Sequence, residues 1–68
     1  MKWHDTEDIA IALEEEHKDK DNLNLRFTDL LSWVVSLKGF DDDPKKCNEK
    51  KLEAIQMAWI EERQENKA

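Results

Sequence analysis

Three carboxylates in a row, Asp41, Asp42 and Asp43, are the residues of this sequence best suited to chemistry. Adjacent like charges repel, and a bound cation relieves the repulsion. Oxygen ligands suit hard cations: magnesium, calcium, manganese and, by extension, ferric iron. Neighbouring side chains in a loop cannot all converge on one ion, so a metal site here needs a ligand from another element, such as Asp29 or Glu49. The competing reading is one Asp capping the helix that begins near Pro44, with the other two solvated.

The remaining candidates are weaker. Asp19-Lys20-Asp21 has the start of a calcium loop, but such a loop needs Gly at its sixth position and Glu at its twelfth. Here those positions hold Asn24 and Leu30, so the segment reads as a solvated loop. His4 with Asp5 and Asp8 offers a mixed nitrogen and oxygen set, set against an ordinary surface histidine near a helix start. Cys47 adjoins Lys45 and Lys46, which favour a thiolate slightly. It has no neighbouring His and reads as an incidental thiol. With one glycine in the chain, phosphate-loop and dinucleotide motifs are excluded.

These residues must be held by a small fold. A 68-residue chain forms one domain with a small core, because it buries only about 60% of the surface its unfolded form exposes. Seventeen Asp and Glu against 11 Lys and Arg give a formal net charge of −6. That sign repels nucleic acid and anionic membranes and attracts cations and basic protein surfaces. A single cysteine cannot close an intrachain disulfide. The start lacks an apolar signal core and no apolar run reaches membrane length. The expectation is a cytoplasmic protein with no membrane or nucleic-acid partner.

The spacing of apolar residues predicts an all-α, three-helix domain with helices at about 6–16, 28–38 and 46–63 and a frayed tail over 64–68. In the first, Ile9, Ala12 and Leu13 share a face, and Asp5 or Thr6 is the expected cap. In the second, Thr28 is the expected cap, Leu30, Leu31, Val34 and Leu37 form the core stripe, and Gly39 ends the helix. In the third, Leu52, Ile55, Ala58 and Trp59 face inward, with two alternative caps, Asp43 before Pro44 and Asn48 one turn later. Trp3 is expected to fold back onto the first helix. Trp33 lies at the edge of its stripe and is the tryptophan expected to be most exposed, where it suits a partner surface.

A set of segments in order also carries a resemblance. Lys2-Trp3 with Asp5, Arg26-Phe27-Thr28-Asp29-Leu30 with Trp33, Phe40-Asp41-Asp42-Asp43-Pro44, Asn48-Glu49-Lys50 and Leu52-Glu53-Ala54-Ile55 with Trp59 are together similar to the IscX (YfhJ) family of bacterial iron-sulphur cluster assembly proteins. The resemblance implies a compact three-helix fold, winged-helix-like without a clear wing, and no enzymatic activity. It implies weak iron binding through surface carboxylates and docking on the cysteine desulfurase of the assembly system, as an adaptor or regulator alongside the bacterial frataxin homologue. The acidic positions that match are Asp5, Asp29, Asp41, Asp42, Asp43, Glu49 and Glu53. The chain departs from the family at Lys18, Lys20 and Asn22 and at Lys38-Gly39, and Cys47 lies outside the shared pattern.

The expected function is therefore a monomeric, non-enzymatic adaptor. Its iron ligands are drawn from Asp5, Asp29, Asp41, Asp42, Asp43 and Glu49. Its partner contacts are drawn from Asp5, Asp29, Trp33, Asp41, Asp42, Glu49 and Glu53. The alternative is a winged-helix-type nucleic-acid binder or a generic protein-interaction module. For nucleic acid, Lys45, Lys46, Lys50 and Lys51 form a small basic stripe that nearby acids offset.

Overall fold

Each helix takes its place from apolar residues three, four or seven apart. The computed structural model describes residues 1–67. It contains α1 (Thr6–Glu16), α2 (Phe27–Val35), a 3₁₀ turn (Pro44–Lys46) and α3 (Glu49–Lys67), with no strand among the described residues. Ile9 and Leu13 of α1, Leu30 and Val34 of α2, and Leu52, Ile55 and Trp59 of α3 meet in a single core, joined by Trp3, Ala10 and Leu37. Burying each large apolar side chain contributes about 1.5–3 kcal/mol. α1 packs chiefly on α3, and α2 touches both with less contact. Ala10 rather than Ala12 is the buried alanine of α1, while Ala12 sits at the core's margin.

The helix ends differ from expectation in ways the hydrogen bonds explain. Asp5 precedes α1, yet its carboxylate accepts the Lys2 N–H at 2.9 Å and makes no cap bond. α2 begins at Phe27, so Thr28 lies inside its first turn and Arg26 precedes it in extended conformation. Phe27 packs against the core, which draws the helix one residue earlier. At the other end, the Ser36 hydroxyl donates to the Trp33 carbonyl at 2.9 Å. The Leu37 N–H turns to Val34 instead, at 3.1 Å, and the helix closes at Val35 rather than reaching residue 38. A turn follows, closed by Phe40 N–H on the Leu37 carbonyl at 3.1 Å, with Gly39 at φ +90°. Gly39 thus serves this turn rather than the helix cap.

Both alternative caps before α3 are used, for separate elements. Asp43 accepts the Lys45 N–H at 2.9 Å and caps the 3₁₀ turn. Asn48 accepts the Lys51 N–H at 2.9 Å and starts α3. The third helix therefore begins at Glu49 rather than 46. It also runs on to Lys67, where a frayed tail was expected from 64.

One polar network holds these helices in register. Glu14 is only 9% exposed. Its carboxylate accepts Arg63 Nε at 2.9 Å and Trp59 Nε1 at 3.1 Å, so one oxygen of α1 binds two donors of α3. The rest of the Arg63 guanidinium donates to the carbonyls of His17, Lys18 and Lys20, which pins the α1–α2 connection to α3. The same guanidinium lies 5.3 Å from the Trp59 ring centre.

Two outcomes follow for stability. Glu14→Ala leaves the Arg63 charge partly buried without its partner. Breaking such a pair costs about 3 kcal/mol, a large share of the roughly 3–10 kcal/mol expected of a chain this size, and urea denaturation reads it directly. A Cβ at Gly39 would meet no atom within 4 Å. Gly39→Ala therefore costs only the backbone penalty of a positive φ, about 1 kcal/mol, which lowers the Tm of a small domain by about 4–8 °C.

Candidate functional site

The acidic loop is positioned by the chain's first residues. Phe40 meets the Trp3 ring edge-on, with ring centres 4.8 Å apart at 70°. Trp3, 2% exposed, donates its indole N–H to the Asp43 carbonyl at 2.7 Å and its backbone N–H to Asp42 at 3.0 Å. The Asp41 N–H bonds the Met1 carbonyl at 3.0 Å. Lys2 Nζ donates to the Asp41 carbonyl at 2.7 Å and lies 3.3 Å from its carboxylate. Trp3 does fold back, then, and it carries the acidic loop with it.

Within this frame the three adjacent carboxylates have three different tasks. Asp41 is exposed and pairs with the Met1 ammonium at 3.2 Å and with Lys2. Asp42 accepts the N–H groups of Trp3 and, at 2.7 Å, Asp43, with Lys46 Nζ at 3.9 Å. Asp43 caps the 3₁₀ turn. The hydrogen bond from the Met1 ammonium and then that from Lys2 hold the Asp41 carboxyl below its ordinary pKa. The backbone N–H of Trp3, then that of Asp43, does the same for Asp42. In the α1–α2 connection, the N–H groups of Leu23 and Asn24 lower Asp21 likewise.

The other candidates are dispersed. Asp29 and Glu49, on the first turns of α2 and α3, and Glu53, one turn further along α3, are exposed and pair with no cation among the described residues. His4 is exposed, with Nε2 3.4 Å from Asp5. Among the described residues no three Asp, Glu, His or Cys side chains come together as a metal cage. The donor set therefore does not fit a preformed iron site: the triad's oxygens are turned toward protein donors.

Trp33 is the most exposed of the three tryptophans and half-buried. Its edge meets the Trp59 ring, with centres 6.0 Å apart at 88°. His17 stacks on it at 5.6 Å and 27°, and Lys20 Nζ lies 6.0 Å from its centre. Cys47 is half-buried, its Sγ 3.6 Å from the Asn48 carbonyl. Burial raises its thiol pKa, with Lys51 opposing, so the thiol is poorly suited to act as a nucleophile at neutral pH. In the basic stripe, Lys46 faces Asp42 across 3.9 Å.

The acids overlooked in the sequence are on the long helix. Glu61 and Glu62 fall at the end of the expected helix and Glu65 in the tail expected to fray, whereas all three stand on an ordered helix opposite Glu7 of α1. The usable signal was the seven-residue interval from Ala58 to Glu65, which returns to one side of a helix.

Residues 1–64 match the protein family described as iron-sulphur cluster assembly. An uncharacterized protein of Pseudomonas aeruginosa is 52% identical over 63 residues, covering 93% of this chain and 96% of its own length. The similarity thus includes the acidic loop, both of its flanking helices and Trp3.

The lowered carboxyls set a pH dependence. Asp21, Asp41 and Asp42 have folded pKa values below those of the unfolded chain. What they contribute to stability is complete above the ordinary value near 3.9 and is lost as pH falls through the folded values. Carboxyl carbon titration by NMR should give midpoints below about 3.9 for all three. Midpoints at or above that value would show that the loop bonds are not kept in solution.

Proposed function

The chain belongs to the IscX (YfhJ) family of iron-sulphur cluster assembly proteins, and on that premise we propose that it is a non-enzymatic adaptor that docks on a cysteine desulfurase and carries iron weakly. What supports the docking is the charge: a net −6 on 68 residues, with Asp29, Asp41, Asp43, Glu49 and Glu53 all exposed. Such a surface speeds encounter with a basic partner and fixes its orientation. Asp5, Asp29, Asp41, Asp42, Glu49 and Glu53 supply the charge in this reading. Trp33 supplies an apolar contact beside it.

Iron is a cargo in this reading, held at the exposed oxygens of Asp41 with help from Asp5, Asp29, Asp42, Asp43 or Glu49. Hard cations take six or more oxygens. With the triad's carboxylates already accepting protein hydrogen bonds, water supplies most of that shell, and the affinity is correspondingly low.

Both parts can be measured. In an anaerobic titration with ferrous iron followed by amide shifts, binding on the order of 10⁻⁴ M or weaker is expected, centred on the Asp41 loop and weakened by Asp41→Asn. Unchanged shifts throughout the acidic loop would refute the iron part. Docking on the desulfurase should weaken about tenfold or more when salt rises from about 0.15 M to 1 M, because the screening length shrinks from about 8 Å to 3 Å. Binding indifferent to salt would point to Trp33 in place of the carboxylates.

A further inference from the structure

The molecule's unpaired negative charge is not concentrated at the acidic triplet. Asp41 is matched by Lys2 and the Met1 ammonium, and Asp42 by two backbone N–H groups and Lys46. Glu7 of α1 and Glu61, Glu62 and Glu65 of α3 line a groove of about 210 Å³ between those helices. None of these four has a cation within 4 Å among the described residues. The nearest strong cation in sequence, Arg63, is committed to Glu14 and three carbonyls.

The floor of the groove is apolar: Ala10, Ile11 and Ala58. Ile11 is 43% exposed, although it belongs to a helix that otherwise buries its large aliphatics completely. The volume falls below the roughly 300–1,000 Å³ of small-molecule sites and suits one or two side chains of a larger partner. Like charges one turn apart on a helix destabilise it by about 0.2–0.5 kcal/mol per pair, and Glu61 and Glu65 are such a pair.

We propose that the groove between α1 and α3 receives a basic amphipathic segment of the protein partner, with an apolar side chain on the Ala10–Ile11–Ala58 floor and Lys or Arg residues on either side reaching Glu7, Glu61, Glu62 and Glu65. Charge complementarity selects this occupant: four carboxylates with no cation partner among the described residues, set around an apolar strip, match cations spaced a turn apart around a hydrophobic one, the helix-in-groove mode of recognition. The inference rests on the reading that the partner is the desulfurase, and it adds a second face to the one that Asp29, Glu53 and Trp33 supply in that reading.

The test measures binding of purified cysteine desulfurase to the wild type and to two kinds of variant. Groove variants are Glu61→Lys with Glu62→Lys on α3 and, separately, Ile11→Ser with Glu7→Gln on α1. Comparison variants are Asp29→Asn with Glu53→Gln. Circular dichroism and urea midpoints confirm folding, and the second groove variant serves if the first fails to fold. The expected result is a loss of about tenfold or more for both groove variants, because the lysine pair sets like charges against the partner's cations and the α1 pair removes the apolar contact on the floor together with one carboxylate, with a shallower salt dependence. Groove variants that bind like the wild type, while the Asp29 and Glu53 variant weakens, would overturn the groove and leave the desulfurase reading standing. A wild type that does not bind the desulfurase would overturn both.

Discussion

The pairing of Glu14 with Arg63 is the constraint on which the arrangement of the helices depends. These residues lie 49 positions apart and meet at 2.9 Å with little water around them. Removing two charges from water costs more than their attraction commonly returns. The pair therefore contributes chiefly by fixing position, while the apolar core contributes the stability. One oxygen of Glu14 sets the rotation of α3 about its axis, because it binds both Trp59 and Arg63, one turn apart. The same guanidinium grips the carbonyls after α1, so the path to α2 is set as well. His17 then stacks on Trp33, and Trp33 abuts Trp59. From one ion pair to the half-buried tryptophan, each contact positions the next.

A second tie does for the acidic loop what Arg63 does for the helices. Trp3 is buried, yet both of its N–H groups leave the core to hold residues of the loop. The loop has no regular structure beyond its 3₁₀ turn, and it is ordered by donors from the chain's first residues. Surface charge is thereby displayed from a rigid base. A rigid base lowers the entropy lost when a partner docks.

Much of this was readable in the sequence where the signal is local. Trp33 at the edge of the Leu30–Val34–Leu37 stripe is indeed the most exposed tryptophan, and of the two alternative caps for the third helix Asn48 starts it, while Asp43 caps the 3₁₀ turn instead. Gly39 misled, because a glycine after an apolar stripe reads as a helix cap, while the helix had already closed at Val35, with the Ser36 hydroxyl on the Trp33 carbonyl and the Leu37 N–H on Val34. Glu14 was invisible for a different reason. It opens the run Glu14-Glu15-Glu16, which reads as a solvated face, and its partner is remote in sequence. Burial of a charge is decided by what arrives opposite it, and no periodicity within α1 reports on α3. The same limit hid the groove: Glu7 and Glu65 are neighbours only once α1 and α3 have packed.

Asp41, Asp42 and Asp43 show how little residue identity says about tolerance to change. Asp43 needs only a short side-chain acceptor for the Lys45 N–H, a role open to Ser, Thr or Asn. Asp42 needs one oxygen for Trp3 and another for Asp43, so even Asn, with one acceptor oxygen, serves only half of it. Asp41, exposed and matched only to surface cations, is the one of the three that the fold leaves most free to vary. A scan of substitutions through this triplet would find three unlike profiles in three identical residues, the strictest in the middle.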